Sequence, residues 1–259
     1  MRYAARIEYD GSAFCGWQRQ SHSPGVQEDV EKALSAVANH PVEVICAGRT
    51  DTGVHGVGQI IHFDSDAERT IRSWVMGGNA NLPKSISIVW VKSVKKEFHA
   101  RFSALSRSYR YVICNRDVRP SFLAWRTTWE YRPLDVLRMQ QAAQYLLGEH
   151  DFSSYRAVAC QAKSPIRTMH RIEVSRQNEM VFIDVEANAF LHHMVRNIAG
   201  VLMTIGCGEK EPLWAREVLE HRDRRLGGVT AHPSGLYFMG VKYPEEFEIP
   251  LIESSSLVW

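Results

Sequence analysis

Alternation opens the chain. Tyr3, Ala5, Ile7 and Tyr9 interleave with Arg2, Ala4, Arg6 and Glu8, the period of two expected of a half-buried strand. The stretch GSAFCGWQRQSHSP that follows has no such period and reads as a loop. Ser23 before Pro24 predicts an N-cap and a first helical residue, and Val26, Val30, Ala33 or Leu34, and Val37 then recur at helical spacing. Val42, Val44 and Cys46 start a second strand. Ile61 and Phe63 mark a third, Ile71, Trp74 and Val75 a second helix, and residues 86–94 a further strand. The order strand, helix, strand, strand, helix, strand is the ferredoxin-like one.

A second series begins after residue 105. Residues 108–114, SYRYVIC, read as a strand, and a Pro- and Trp-containing link, RPSFLAW, leads to a helix from about residue 133 carrying Val136, Met139, Ala143 and Leu146. Residues 171–176 and 181–187 predict a hairpin whose second arm alternates through Val181, Ile183, Val185 and Ala187. Leu191, Met194, Ile198, Leu202 and Ile205 share one face of a helix over 191–205. Pro212 opens a shorter helix with Trp214 and Val218, and residues 235–243 predict the last strand. The expected fold is α+β: two ferredoxin-like α/β-sandwich halves with mainly antiparallel sheets around a central cleft, at 1–105 and 106–245, with a tail at 246–259.

Composition narrows the class. Among 259 residues 45% are apolar and 23% charged, which excludes wholesale disorder. Lys plus Arg is 31 against Asp plus Glu 29, a net of +2. That excludes a tail-like polycation but not a nucleic-acid partner, because the location of charge decides there. Residues 95–116 hold Lys95, Lys96, Arg101, Arg107, Arg110 and Arg116 against Glu97 alone, enough for an electropositive groove. The five cysteines, at 15, 46, 114, 160 and 207, form no CxxC pair. This argues against a disulfide framework or a thiolate metal site and for the reducing cytoplasm. No apolar run approaches 18 residues, so no membrane span is expected.

The most informative segment is GRTDTGVHG at 48–56. Glycines flank Arg49 and Asp51 just after a strand, and such a loop can hold a carboxylate beside a guanidinium. By local pattern alone it is equally a structural turn in which Asp51 caps nearby N–H groups. It lacks the GK[ST] of a phosphate loop and the GxGxxG of a dinucleotide site.

That loop is similar to the catalytic loop of the TruA-type tRNA pseudouridine synthases. YDGSAFCGWQRQ at 9–20, GVQEDVEKAL at 25–34, FHARFSALSRSYRYVI at 98–113, FLHHMVRNIAG at 190–200 and HPSGLYFMGVKY at 232–243 follow in the same family's order. Thr52 and Gly56 stand where that family usually has alanines. The resemblance implies isomerisation of uridine to pseudouridine in the tRNA anticodon stem-loop, at nucleotides 38, 39 and 40. The N1–C1′ bond is cleaved, the base turns, and it is rejoined through C5. The catalytic carboxylate falls on Asp51, as nucleophile or as base at the sugar, and its ion-pair partner on Arg196. Tyr109, rather than Tyr111, is implied to pack on the target base, and Arg49 to hold the nucleotide extruded. Gln18, Arg19, Arg101, Arg107 and Arg110 are weaker candidates for RNA contacts.

The resemblance implies no metal and no organic cofactor. His192 and His193 are adjacent, no HExxH accompanies them, and neighbours on a helix point apart. It further implies a homodimer, each tRNA reaching across both subunits. Two other readings remain: a noncatalytic RNA-binding protein on the same scaffold, and a synthase with another RNA target.

Overall fold

β1 (Arg2–Tyr9) forms where the alternation places it, with Tyr3, Ala5, Ile7 and Tyr9 buried; Ala4 on the other face is buried as well. The structure, a computed structural model, describes residues 1–20 and 22–251. The expected tail at 246–259 therefore lies outside the described residues from 252 on. The chain is a mixed α/β protein of two compact units, Met1–Leu105 with the chain from Phe238 onward, and Ser106–Tyr237.

In the first unit β1 is followed by α1 (Val26–Ala38), β2 (Ile45–Cys46), β3 (His55–Asp64), α2 (Ile71–Asn81) and β4 (Ile86–Ser93). β1 lies between β3 and β4 and is antiparallel to both, and β2 pairs antiparallel with β3. Val26, Val30, Leu34 and Ala38 of α1 and Trp74 of α2 share a core with Tyr3, Ala5 and Ile7 of β1 and with Phe63 of β3. The Tyr3, Phe63 and Trp74 rings contact one another at centroid distances of 5.3, 5.4 and 5.1 Å. Burying one such ring contributes about 1.5–3 kcal/mol.

Two boundaries differ from the sequence reading. α1 starts at Val26, with Gly25 rather than Ser23 as N-cap and no side-chain cap. The loop before it does the capping with its main chain: Gly16 O accepts from Val26 N at 3.2 Å and Trp17 O from Gln27 N at 2.9 Å. The helix's open N–H groups are thereby satisfied without a serine. β2 is two residues long and does not begin at Val42. The amides of Val42 and Val44 donate to Ser35 Oγ at 2.8 Å and Glu31 Oε1 at 3.1 Å on α1, outside any ladder.

The second unit comprises β5 (Ser106–Asn115), β6 (Thr128–Glu130), α3 (Val136–Gln144), β7 (Gly148–Asp151), β8 (Ile166–Gln177), β9 (Met180–Ala187), α4 (Met194–Gly206) and α5 (Trp214–His221). The sheet order is β5-β9-β8-β7, antiparallel throughout, with β6 parallel to β5. β6 and β7 carry no alternation long enough to predict. α4 starts three residues later than expected, because His193 takes the left-handed conformation, φ 61°, which an α-helix cannot contain. It is also buried on nearly every side rather than along one stripe. A Cβ on Gly200 would lie 1.8 Å from Val229 O, so only glycine admits the strand of chain at 229–231 against this helix. The chain re-enters the first unit through β10 (Leu236–Lys242), which lies beside β3. No helix among the described residues is long and apolar enough to cross a membrane.

Candidate active site

The Gly-rich loop between β2 and β3 is held at several residues by the rest of the first unit. Ala47 N donates to Ile60 O at 2.8 Å. The fully buried Gln59 side chain grips the next peptide, donating to Gly48 O at 2.6 Å and accepting from Gly48 N at 3.4 Å. Thr50 is buried and pinned twice, through its hydroxyl to Tyr9 Oη at 2.8 Å and through its carbonyl, which accepts from Trp17 N at 3.0 Å. Gly16, at φ 92°, allows that approach, since a Cβ there would lie 2.5 Å from Thr50 O. Beyond Asp51 the turn closes through main chain: Asp51 O accepts from Val54 N at 3.1 Å, and Phe14 O from Gly53 N at 3.2 Å.

Fixing 48, 50 and 53 leaves Arg49 exposed and Asp51 half-buried. Burial pushes the Tyr9 hydroxyl far above its ordinary value, so the phenol keeps its proton and stays a hydrogen-bonding partner for Thr50 and Gln59. Burial likewise pushes the Cys46 thiol up to about 11, which leaves it a neutral thiol rather than a competing nucleophile. The stretch YDGSAFCGWQRQ is thus the scaffold of the Asp51 loop, because Tyr9, Phe14, Gly16 and Trp17 all contact it.

In the second unit three of the singled-out stretches converge. Tyr109 on β5 is half-buried and meets Phe190 edge-on, with centroids 5.0 Å apart and planes at 80°. Tyr111, two residues on, is fully buried and donates to His232 O at 2.7 Å. It is a core residue, whereas Tyr109 keeps part of its ring accessible. Arg196 on α4 is half-buried. Its Nε donates to Ala231 O at 2.8 Å, and its own carbonyl accepts from Ala231 N at 3.1 Å. It is therefore not the exposed arginine of an amphipathic helix. Burial, and then the Arg196 charge, push the His232 imidazole below its ordinary value. His192 and His193 precede the helix, and their rings lie 4.0 Å apart rather than diverging.

The weaker candidates other than Gln18 are engaged within their own chain. Gln18 is half-buried. Arg19 bonds Glu31 at 2.9 Å. Arg107 donates to Asn188 O at 2.9 Å, and Arg110 forms a bidentate pair with Asp184 at 2.7 and 2.9 Å. Arg116 pairs with Glu179 at 3.2 Å. Arg101 is exposed and lies over the Phe102 ring, 5.6 Å from its centroid. The basic excess at 95–116 is smaller in space than in sequence, because the neighbouring hairpin brings Asp184 and Glu179 to it. Sequence reasoning missed Gln59, Thr50 and Tyr9 as loop holders and Phe190 as the partner of Tyr109. The signal for Gln59 was available, as a polar residue inside an apolar strand.

Comparison with known proteins defines the class. The chain belongs to the family described as tRNA pseudouridine synthase, whose model matches residues 5–103 and 142–244 and so includes Asp51, Arg49 and Arg196. It is an enzyme of tRNA processing, an isomerase that modifies RNA. The particular relatives are bacterial proteins called tRNA pseudouridine synthase A. That of Pseudomonas aeruginosa is 59% identical over 250 residues, covering 96% of this chain and 88% of its own. That of Alcanivorax borkumensis is 58% identical over 250 residues, covering 96% and 94%. That of Nitrosococcus oceani is 56% identical over 259 residues, covering 100% of both. One expectation is corrected here. The homodimer drawn from the resemblance is carried by neither the family match nor these relatives, and it is withdrawn.

Proposed function

We propose that this synthase isomerises uridines at nucleotides 38, 39 and 40 of the tRNA anticodon stem-loop, with Asp51 as the catalytic carboxylate. The observation that carries the reading is the double pinning of Thr50 by Tyr9 and Trp17, which fixes the main chain next to Asp51. Breaking a glycosidic bond without a cofactor requires one well-placed carboxylate, as nucleophile at the sugar or as base for a sugar proton. We assign Arg196 to the same reaction, as the cation that complements that carboxylate. Tyr109 supports the uracil, since an aromatic plane holds a base without demanding one orientation. Arg49, exposed two residues before Asp51, holds the nucleotide extruded.

The finer fold reading, two ferredoxin-like halves, belongs here too. It is supported by the shared pattern of β1-β3-β2 and β5-β9-β8, each a strand, then a helix, then an antiparallel pair folded back beside the first strand. A cytoplasmic location is supported by five free cysteines.

The test is to incubate the protein with unmodified tRNA transcripts and map pseudouridine by nucleotide. Product at 38–40 is expected, and product only elsewhere overturns the target assignment. Asp51→Asn is expected to abolish product while tRNA affinity stays within about three-fold, because only the reacting group changes. Loss of folding together with binding would make Asp51 structural.

A further inference from the structure

A column of rings runs from the interior of the first unit to its surface. It starts at His62 on β3, which is 3% exposed. His99 lies against it with centroids 4.7 Å apart, and Phe102 stacks on His99 at 4.4 Å with planes 29° apart. The outermost ring, Phe102, is 76% exposed. An aromatic left this open is informative when the turn that carries it is rigid, and this one is. His99 Nδ1 accepts from both Arg101 N at 3.2 Å and Phe102 N at 3.1 Å. His99 N donates to Ser103 Oγ at 3.0 Å, and Ser103 N donates back to His99 O at 2.9 Å. Ala100 N donates to His62 Nδ1 at 3.0 Å, and Ala100 O accepts from Tyr243 Oη at 2.6 Å. Each residue from His99 to Ser103 thus has its main chain fixed or borders one that does. Burial pushes both imidazoles below their ordinary values, so their Nδ1 atoms remain acceptors at neutral pH.

The surroundings are cationic. Arg101 lies over the Phe102 ring, and Lys95 and Lys96 are exposed a few residues upstream. A flat ring on a rigid turn, with a guanidinium against it and Lys95 and Lys96 close by in the sequence against Glu97 alone, matches a nucleobase with its phosphates better than an apolar peptide. We infer that Phe102 is a stacking platform for an unpaired nucleobase of the tRNA substrate, which extends the His62–His99–Phe102 column by one ring. The inference rests on the tRNA reading and adds to it a contact made by a residue other than Asp51, Tyr109 and Arg196. Ring-on-base stacking is tolerant of sequence, so the platform serves affinity and register rather than choice of base.

The test compares Phe102→Ala, Phe102→Leu and Phe102→Trp. Filter binding to an unmodified tRNA transcript at fixed salt gives Kd, and pseudouridine formation gives KM and kcat. Phe102→Ala and Phe102→Leu are each expected to raise Kd and KM about ten-fold, the loss expected for one stacked base, falling on Kd and KM rather than on kcat. Phe102→Trp, which keeps an aromatic plane, is expected to stay within about two-fold of the parent. An unchanged Kd for Phe102→Ala overturns the inference, and so does parental affinity in Phe102→Leu, since leucine supplies apolar area without a plane. A change of sedimenting mass in Phe102→Ala with Kd unaltered also overturns it, in favour of a protein contact. Should the alanine variant fail to fold, the leucine and tryptophan variants decide alone. Activity of the parent on the same transcripts reads the underlying function separately, so its failure is not confused with that of the platform.

Discussion

Thr50 shows how one residue controls a loop. Its two partners, Tyr9 Oη and the Trp17 amide, come from the strand and loop at the start of the chain, about forty residues earlier in the sequence. Tyr9→Phe and Thr50→Val both remove the Tyr9–Thr50 hydrogen bond, and Tyr9→Phe removes the contact with Gln59 as well. Each is expected to lower kcat/KM on tRNA about five-fold, the equivalent of one buried hydrogen bond near 1 kcal/mol. The double variant is expected to lose no more than Tyr9→Phe alone, because residues sharing one interaction are non-additive. Thr50→Ser is expected to recover the parental rate, since it restores the hydroxyl. Additive losses in the steady-state rates would mean that the two hydroxyls serve different ends and that the pinning account is wrong.

Periodicity located the helices and strands that pack by their own stripes: β1, α1, α2, α3, β9 and β10 all lie where apolar spacing puts them. It failed where an element's end is set by a distant partner. The start of α1 depends on carbonyls of Gly16 and Trp17, β2 is cut short by Ser35 and Glu31, and His193 delays α4. No window of a few residues contains those partners. α3 is the contrasting case, an element capped locally. Asp135 accepts from Leu137 N at 2.9 Å and Arg138 N at 3.1 Å. Asp135→Ala is expected to cost about 1 kcal/mol of unfolding free energy in urea, and Asp135→Asn only a fraction of that. Equal stability of parent and alanine variant would show that α3 is held by packing alone.

At the scale of the whole molecule, the near-neutral charge hid how ions are distributed. The basic run was legible as composition, but its neutralisation by Asp184 and Glu179 was not, because strand pairing rather than sequence distance brings them together. The site residues were legible only through family resemblance. The bare pattern left Asp51 as readily a turn as a site, while the holder Tyr9 looked like strand interior. Buried histidines are the charge feature with a global readout. His62 is pushed down to about 4, first by burial and then by the positive charges of Arg2 and His99. Burial also lowers His99 and His232 from their ordinary value of 6.5. Well above pH 6.5 an imidazole is neutral in both folded and unfolded chains and contributes no pH dependence. Between 6.5 and about 4 the unfolded chain binds a proton that native His62 refuses, so stability falls as pH falls. Asp64, held down by its hydrogen bond to Arg2, adds its loss only from its ordinary value of 3.8 downward. The urea midpoint is therefore expected to decline from pH 6.5 to 5, before that carboxylate contributes. His62→Asn places Oδ1 where Nδ1 accepts from Ala100 N and removes the titrating group. It is expected to flatten the decline over that interval without abolishing it, because His99 and His232 still titrate. A variant whose midpoint tracks the parent at every pH would remove His62 from the account and leave the slope to the other two.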